Sequence, residues 1–174
     1  MVAIAAPIPN EHRAATLPTE GMTATLLRDL LGTPVAVKQV TARLPMGPRI
    51  ALGTYITGDK LAGMMMCDVE FASAAGGLLA MFPPGVMAEA VKKGKLEPAL
   101  EENWREVANI FASLMNVAGG VHVKFHQHFA PTVKSPPEIA NAPARAVARV
   151  DFEVSIGNLP KGKVSLLVFD LANP

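Results

Sequence analysis

Six runs with strand character, grouped in two sets of three, constrain this fold more than any other feature of the chain. Residues 35–40, 49–57 and 61–69 form the first set, and residues 121–129, 144–156 and 163–171 form the second. Gly58-Asp59 between the second and third runs is a hairpin signal, and a turn over 157–162 joins the last two. A helix stands before each set. Residues 19–31 have Thr19 to cap them, Met22, Leu26, Leu27, Leu30 and Leu31 as apolar positions, and Gly32 to end them. Between the sets the sequence predicts a small-residue helix over 71–82, stopped by Pro83-Pro84, and a shorter one over 86–93, closed by Gly94. A long helix follows, opened by Pro98 as a first-turn proline and ended by Gly119-Gly120. The alanines and glycines of 71–82 let another element approach closely. The expected class is α+β, with two helix-plus-three-strand halves forming a mixed or antiparallel sheet covered by helices. No residue-level repeat links the halves.

The expected organisation is a loose, proline-bearing arm over 1–18 and one domain over 19–174. A chain of 174 residues is long enough to bury a real core. Its 16 basic and 15 acidic residues leave a net charge of +1 and no basic footprint, which argues against nucleic-acid or membrane-surface binding. The single cysteine, Cys67, cannot form an internal disulfide, and the N-terminal residues lack a basic lead and are broken by Pro7 and Pro9. Both features point to a cytoplasmic home. The uncharged stretch 71–88 is interrupted by Gly76, Gly77, Pro83 and Pro84, so it reads as a buried core helix and not a membrane span. Met64-Met65-Met66 is uncharged on both faces, which predicts a strand covered on both sides.

The long helix carries the chemistry. With Glu102 set at zero, 100° per residue puts Glu106 at about 40°, Asn109 at about −20°, Ser113 at about 20° and Asn116 at about −40°. These five residues make one narrow polar stripe, while Trp104, Val107, Ile110, Phe111, Leu114 and Met115 face the core. The centre of the stripe is Asn, Ser and Asn, which are poorer helix formers than the residues of an ordinary solvated face. No lysine follows the glutamates to make an i,i+4 pair. A carboxylate and a carboxamide three residues apart lie side by side, and the amide can both donate to and accept from a water. That suffices to position a water for in-line attack on a phosphoryl group. By spacing alone, E-x-x-N is also compatible with a plain solvated face.

The segment Glu106-Val107-Ala108-Asn109-Ile110-Phe111-Ala112-Ser113 resembles the signature helix of the CheC/CheX/FliY phosphatases. The order of elements over 19–171 resembles that family too. The resemblance implies a protein that docks on a phosphorylated CheY-like response regulator and accelerates hydrolysis of its aspartyl phosphate. Glu106 would engage the regulator's active-site lysine and Asn109 would orient the hydrolytic water. Glu102, Ser113 and Asn116 would shape the docking face. No cofactor of its own is implied, since the regulator supplies Mg²⁺. Residues 19–31 hold no E-x-x-N, so the chain is most like the single-site, CheX-like members. It departs from the family pattern at Glu102, where Asp or Ser is usual, and at Phe111, where glycine is common. It departs also at Thr132, where a proline is expected and Pro131 stands one residue early. The alternative on the same fold is a non-enzymatic binding module whose polar stripe is a partner surface.

Other candidates read as structure. On a regular strand His122, Lys124, His126 and His128 would share one face, with Val123, Phe125 and Phe129 on the other. Two histidines at i,i+2 suit a metal, but Lys124 among them repels a cation, so a solvated or interface face is the expectation. Cys67, in an apolar run without a basic neighbour, reads as an inert buried thiol. Lys92, Lys93 and Lys95 read as a dipole-favoured helix end. Edge strands and the proline-rich segment 131–143, expected as a loop, are candidate dimer contacts.

Overall fold

A computed structural model describes residues 15–116 and 121–172. Helix α1 (Glu20–Leu31) begins where the Thr19 hydroxyl accepts from the Met22 N–H at 3.3 Å and ends on Gly32, at φ 61°. Three strands follow: β1 (Val35–Val40), β2 (Ile50–Thr57) and β3 (Lys60–Asp68), the last two turning at Gly58. Helices α2 (Val69–Leu79), α3 (Pro84–Lys93) and α4 (Pro98–Met115) come next. Strand β4 (Lys124–Phe129) precedes a short helix α5 (Pro137–Ala140), a 3₁₀ turn (Ala142–Arg145), and strands β5 (Ala148–Ile156) and β6 (Gly162–Val168).

All six strands join one sheet in the order β1-β5-β6-β3-β2-β4, and every neighbouring pair is antiparallel. The sheet is thus antiparallel throughout, with no mixed part. Each half keeps a hairpin but sends its first strand across: β1 pairs with β5, and β4 pairs with β2. Neither half can complete its sheet without the other. Of the arm expected over 1–18, residues 1–14 lie outside the described residues; Ala15 is buried, and the Thr16 N–H donates to the Met115 carbonyl at 3.2 Å.

The main core lies between one sheet face and the helices, and a second, smaller core lies on the opposite face. Met64, Met65 and Met66 are fully buried because successive residues supply alternate faces: Met65 the helix side, Met64 and Met66 the other. Over that second face the loop around Leu44 is held by a charged clamp. Asp151 Oδ1 accepts the Leu44 N–H at 3.0 Å, while Arg149 Nη2 donates to the Leu44 carbonyl at 2.8 Å and to Asp151 Oδ1 at 2.7 Å. Burial raises the Asp151 carboxyl, but the bonds from Arg149, Ser165 and Leu44 outweigh it and hold the group below its usual range. Its contribution is present at neutral pH and is lost in strong acid.

Asp68 joins β3 to α2. It caps the helix through the Phe71 N–H at 2.9 Å and takes the Lys163 N–H at 3.0 Å. Burial, the largest influence, pushes its carboxyl up to about 6. Between the ordinary aspartate range and about 6 the folded chain therefore holds a proton that the unfolded chain has released. Stability contributed by this group falls as pH rises through that interval. Urea midpoints of Asp68→Asn between pH 4.5 and 7 are expected to lack that fall, whatever the variant loses in absolute stability. An unchanged slope would show that another group carries it. No described helix is long and apolar enough to cross a membrane.

Candidate functional site

Helix α4 opens with Pro98 in its first turn, as its sequence predicts, and its inner face is fixed at several depths. Trp104, Val107 and Phe111 are fully buried, and Phe111 meets Phe71 of α2 edge-on at 6.1 Å. At mid-helix the Tyr55 hydroxyl of β2 donates to the Ala108 carbonyl at 2.7 Å. Gly53 of the same strand lies beneath Ala108; a Cβ there would lie 3.4 Å from the Ala108 methyl, in van der Waals contact. Ile110, expected in the core, is only half-buried, because at about 80° from Glu102 it falls on the flank of the helix.

The residue after Ala108 is turned about 100° from it, out of the core. Glu102, Glu106, Asn109 and Ser113 are all exposed and line one ridge. Neither the Glu106 carboxylate nor the Asn109 amide has a partner among the described residues. Ser113 turns its hydroxyl back to the Ile110 carbonyl at 2.8 Å. Asn116 does not belong to the ridge as expected. Its Nδ2 donates to the Val123 carbonyl at 2.9 Å and its Oδ1 accepts the Val123 N–H at 2.8 Å, so it is half-buried and ties the end of α4 to the approach to β4. A carboxamide satisfied in both directions by a peptide has little left to offer a partner.

The histidine face expected on the strand does not form. Thr54 of β2 stands opposite Gln127 and Tyr55 opposite Phe125, which leaves His126 as an extra residue in a bulge. The alternation breaks there. Phe125 and His128 now both turn towards α4, Phe125 meeting Tyr55 edge-on at 6.1 Å. His128 Nε2 lies 2.8 Å from Glu101 Oε1, and its ring stands 5.9 Å from that of Trp104. Phe129 packs in the second core instead. Among the described residues no group of three or more His, Cys, Asp or Glu side chains is placed to hold a metal ion. Cys67 is fully buried, and burial pushes its thiol up, so it stays protonated at neutral pH.

A feature the stripe alone did not disclose borders the ridge. Pro98, Glu101, Glu102, Arg105 and His128 line an open groove of about 370 Å³. Arg105 was the available signal: it follows Glu101 by four residues and Glu102 by three, although no lysine does.

No family profile matches this sequence, and no curated protein matches it. Solved structures do match. FliY of Thermotoga maritima is 17% identical over 89% of this chain and 85% of that one, with a TM-score of 0.53. This chain has the CheC/CheX/FliY-type fold. Looser likenesses are to CheX of Borrelia burgdorferi, solved in complex with CheY, BeF3 and Mg, and to the FliM middle domain of H. pylori. The first is 13% identical over 84% of this chain and 92% of that one, with a TM-score of 0.49. The second is 8% identical over 86% and 84%, with a TM-score of 0.46.

Within this CheC/CheX/FliY-type fold, two departures from the family's sequence pattern have structural reasons. Phe111 points into the core against Phe71, away from the ridge, so its bulk leaves the ridge clear. Thr132 sits at φ 74° and donates its N–H to the Pro48 carbonyl at 2.7 Å. A proline there would have neither the dihedral nor the donor, and the proline stands at 131 instead.

Proposed function

We propose that this chain docks the outer ridge of α4 on a phosphorylated CheY-type response regulator and accelerates hydrolysis of its aspartyl phosphate. The observation that carries this reading is the pair Glu106 and Asn109, exposed and free of partners among the described residues on a helix whose other side is firmly packed. A carboxylate kept free at the surface is ready to pair with a partner's lysine. A carboxamide kept free can accept one hydrogen bond from a water and donate another, which fixes the direction of the water's lone pair.

In the reaction, Glu106 engages the regulator's lysine and seats the ridge. Asn109 then holds a water in line with the acyl-phosphate P–O bond. The water attacks phosphorus, that bond breaks, and the regulator's aspartate leaves as a carboxylate while inorganic phosphate is released. The regulator supplies the phosphorylated aspartate and the Mg²⁺; this chain supplies position. Encounter with such a regulator takes place in the cytoplasm.

Turnover tests the proposal. Trace amounts of the protein are added to an excess of phosphorylated CheY-type regulator from the same organism, and phosphate release is followed in time. Release of many equivalents per protein molecule is expected. Protection or sequestration of one equivalent would instead make the chain a binding module, and no effect on any such regulator would remove the ridge from this chemistry.

A further inference from the structure

The groove beside the ridge contains a charge that its own helix leaves unanswered. Glu101 stands four residues before Arg105, the spacing and order that favour an ion pair on a helix. That pair does not form, because Glu101 Oε1 is taken by His128 Nε2 at 2.8 Å. Glu102, three residues before Arg105, is not paired with it either, and Arg105 has no partner among the described residues. The guanidinium is exposed and borders the groove.

Its position relative to the ridge matters. On the helix projection Arg105 lies at about −60°, against about 0° and 40° for Glu102 and Glu106. The ridge therefore has its free carboxylates at the centre and on one side, and on the other the unpaired Arg105, beside a Glu101 already tied to His128. A partner surface that suits Glu102 and Glu106 is basic, and it would repel Arg105 unless it presents an anion opposite it. Two carboxylates alone can meet a basic site in several rotations of the helix; a cation on one flank selects one of them. The planar guanidinium suits a carboxylate in two-point contact. Arg105 stands one turn before Asn109 and about 40° further round towards the groove, on the side away from Glu106, so it faces the rim of the partner's site on Asn109's side.

We propose that Arg105 is a specificity-determining residue: an acidic side chain at the rim of the regulator's phosphorylation site enters the groove, pairs with Arg105 and fixes the rotation of α4. The inference rests on the docking reading above and deepens it.

Initial rates against the concentration of phosphorylated CheY-type regulator test it. Arg105→Gln is expected to raise KM about three- to tenfold with kcat unchanged, and Arg105→Glu to raise it further. Arg105→Lys should restore part of the loss. KM of the wild type should climb with added NaCl more steeply than that of Arg105→Gln, a response that lost packing alone does not give. If the wild type turns over but Arg105→Gln keeps its KM and its salt dependence, the rim contact is wrong while the docking reading stands. A fall in kcat with KM unchanged would place the guanidinium on the phosphoryl group and overturn the rim assignment. If the wild type does not act on the regulator at all, the docking reading itself fails.

Discussion

Asn109→Ala is expected to lose accelerated dephosphorylation by about 10²- to 10³-fold, the usual cost of deleting one group that positions the reacting atoms. The fold should not notice the change. The Asn109 amide touches no described polar group, and alanine is the better helix former, so the unfolding midpoint should hold or rise slightly. Loss of activity without loss of stability separates a working residue from a supporting one. Asn109→Asp sharpens the test. It keeps the shape, removes the NH₂ donor and brings a negative charge towards a phosphoryl group, so it too should be inactive. Glu106→Ala should lower the rate and also raise KM, because it removes the contact with the regulator's lysine. Ser113→Ala is the control on the same ridge: its hydroxyl is already spent on the Ile110 carbonyl, and little should change. If Asn109→Ala hydrolyses the phosphorylated regulator at the wild-type rate, Asn109 does not hold the water.

What the sequence discloses here is what nearest neighbours along the chain decide. Thr19 and Gly32 bracket α1, Pro98 opens α4, and the apolar period of α4 separates Trp104, Val107 and Phe111 from Glu102, Glu106 and Asn109. The two-faced burial of Met64 to Met66 is equally local, since a strand without charge must be covered on both sides. What stays hidden depends on partners distant in sequence. The bulge at His126 belongs to the register in which β4 pairs with β2, and nothing in V-H-V-K-F-H-Q-H-F announces it. Strand order is hidden for the same reason, as β1 and β4 each pair with a hairpin from the other half. Asn116 reads as ridge by angle alone; its real partner is the Val123 peptide, on the approach to β4. Segment 131–143, expected as a loop, winds into α5 and the start of a 3₁₀ turn, because Pro137 can open a helical turn as readily as it can end a strand.

The ridge can point outward only because α4 lies very close to α2, and Gly76 is where that closeness is set. A Cβ on Gly76 would stand 2.8 Å from the Trp104 nitrogen, 2.9 Å from the Leu100 carbonyl oxygen and 3.1 Å from the Trp104 Cα. All three are backbone atoms, so no rotamer change relieves the clash. Helix propensity argues the other way, since alanine in place of glycine stabilises a helix by about 1 kcal/mol. Overpacking against a rigid neighbour typically costs about 1–3 kcal/mol and occasionally more, so at this contact the clash should win. Gly76→Ala is expected to lower stability by a net ~1–2 kcal/mol in urea unfolding, and to lower activity as α4 shifts. Gly77→Ala discriminates between mechanisms. Its Cβ would come within 2.4 Å of Met87, closer than any contact at Gly76, but the atoms met are Cγ and Sδ of a flexible side chain. Methionine can re-route, so Gly77→Ala should be the milder change despite the shorter distance. The reverse order of stabilities would mean that α2 and α4 can part without cost, and that the ridge is not held by the contact at Gly76.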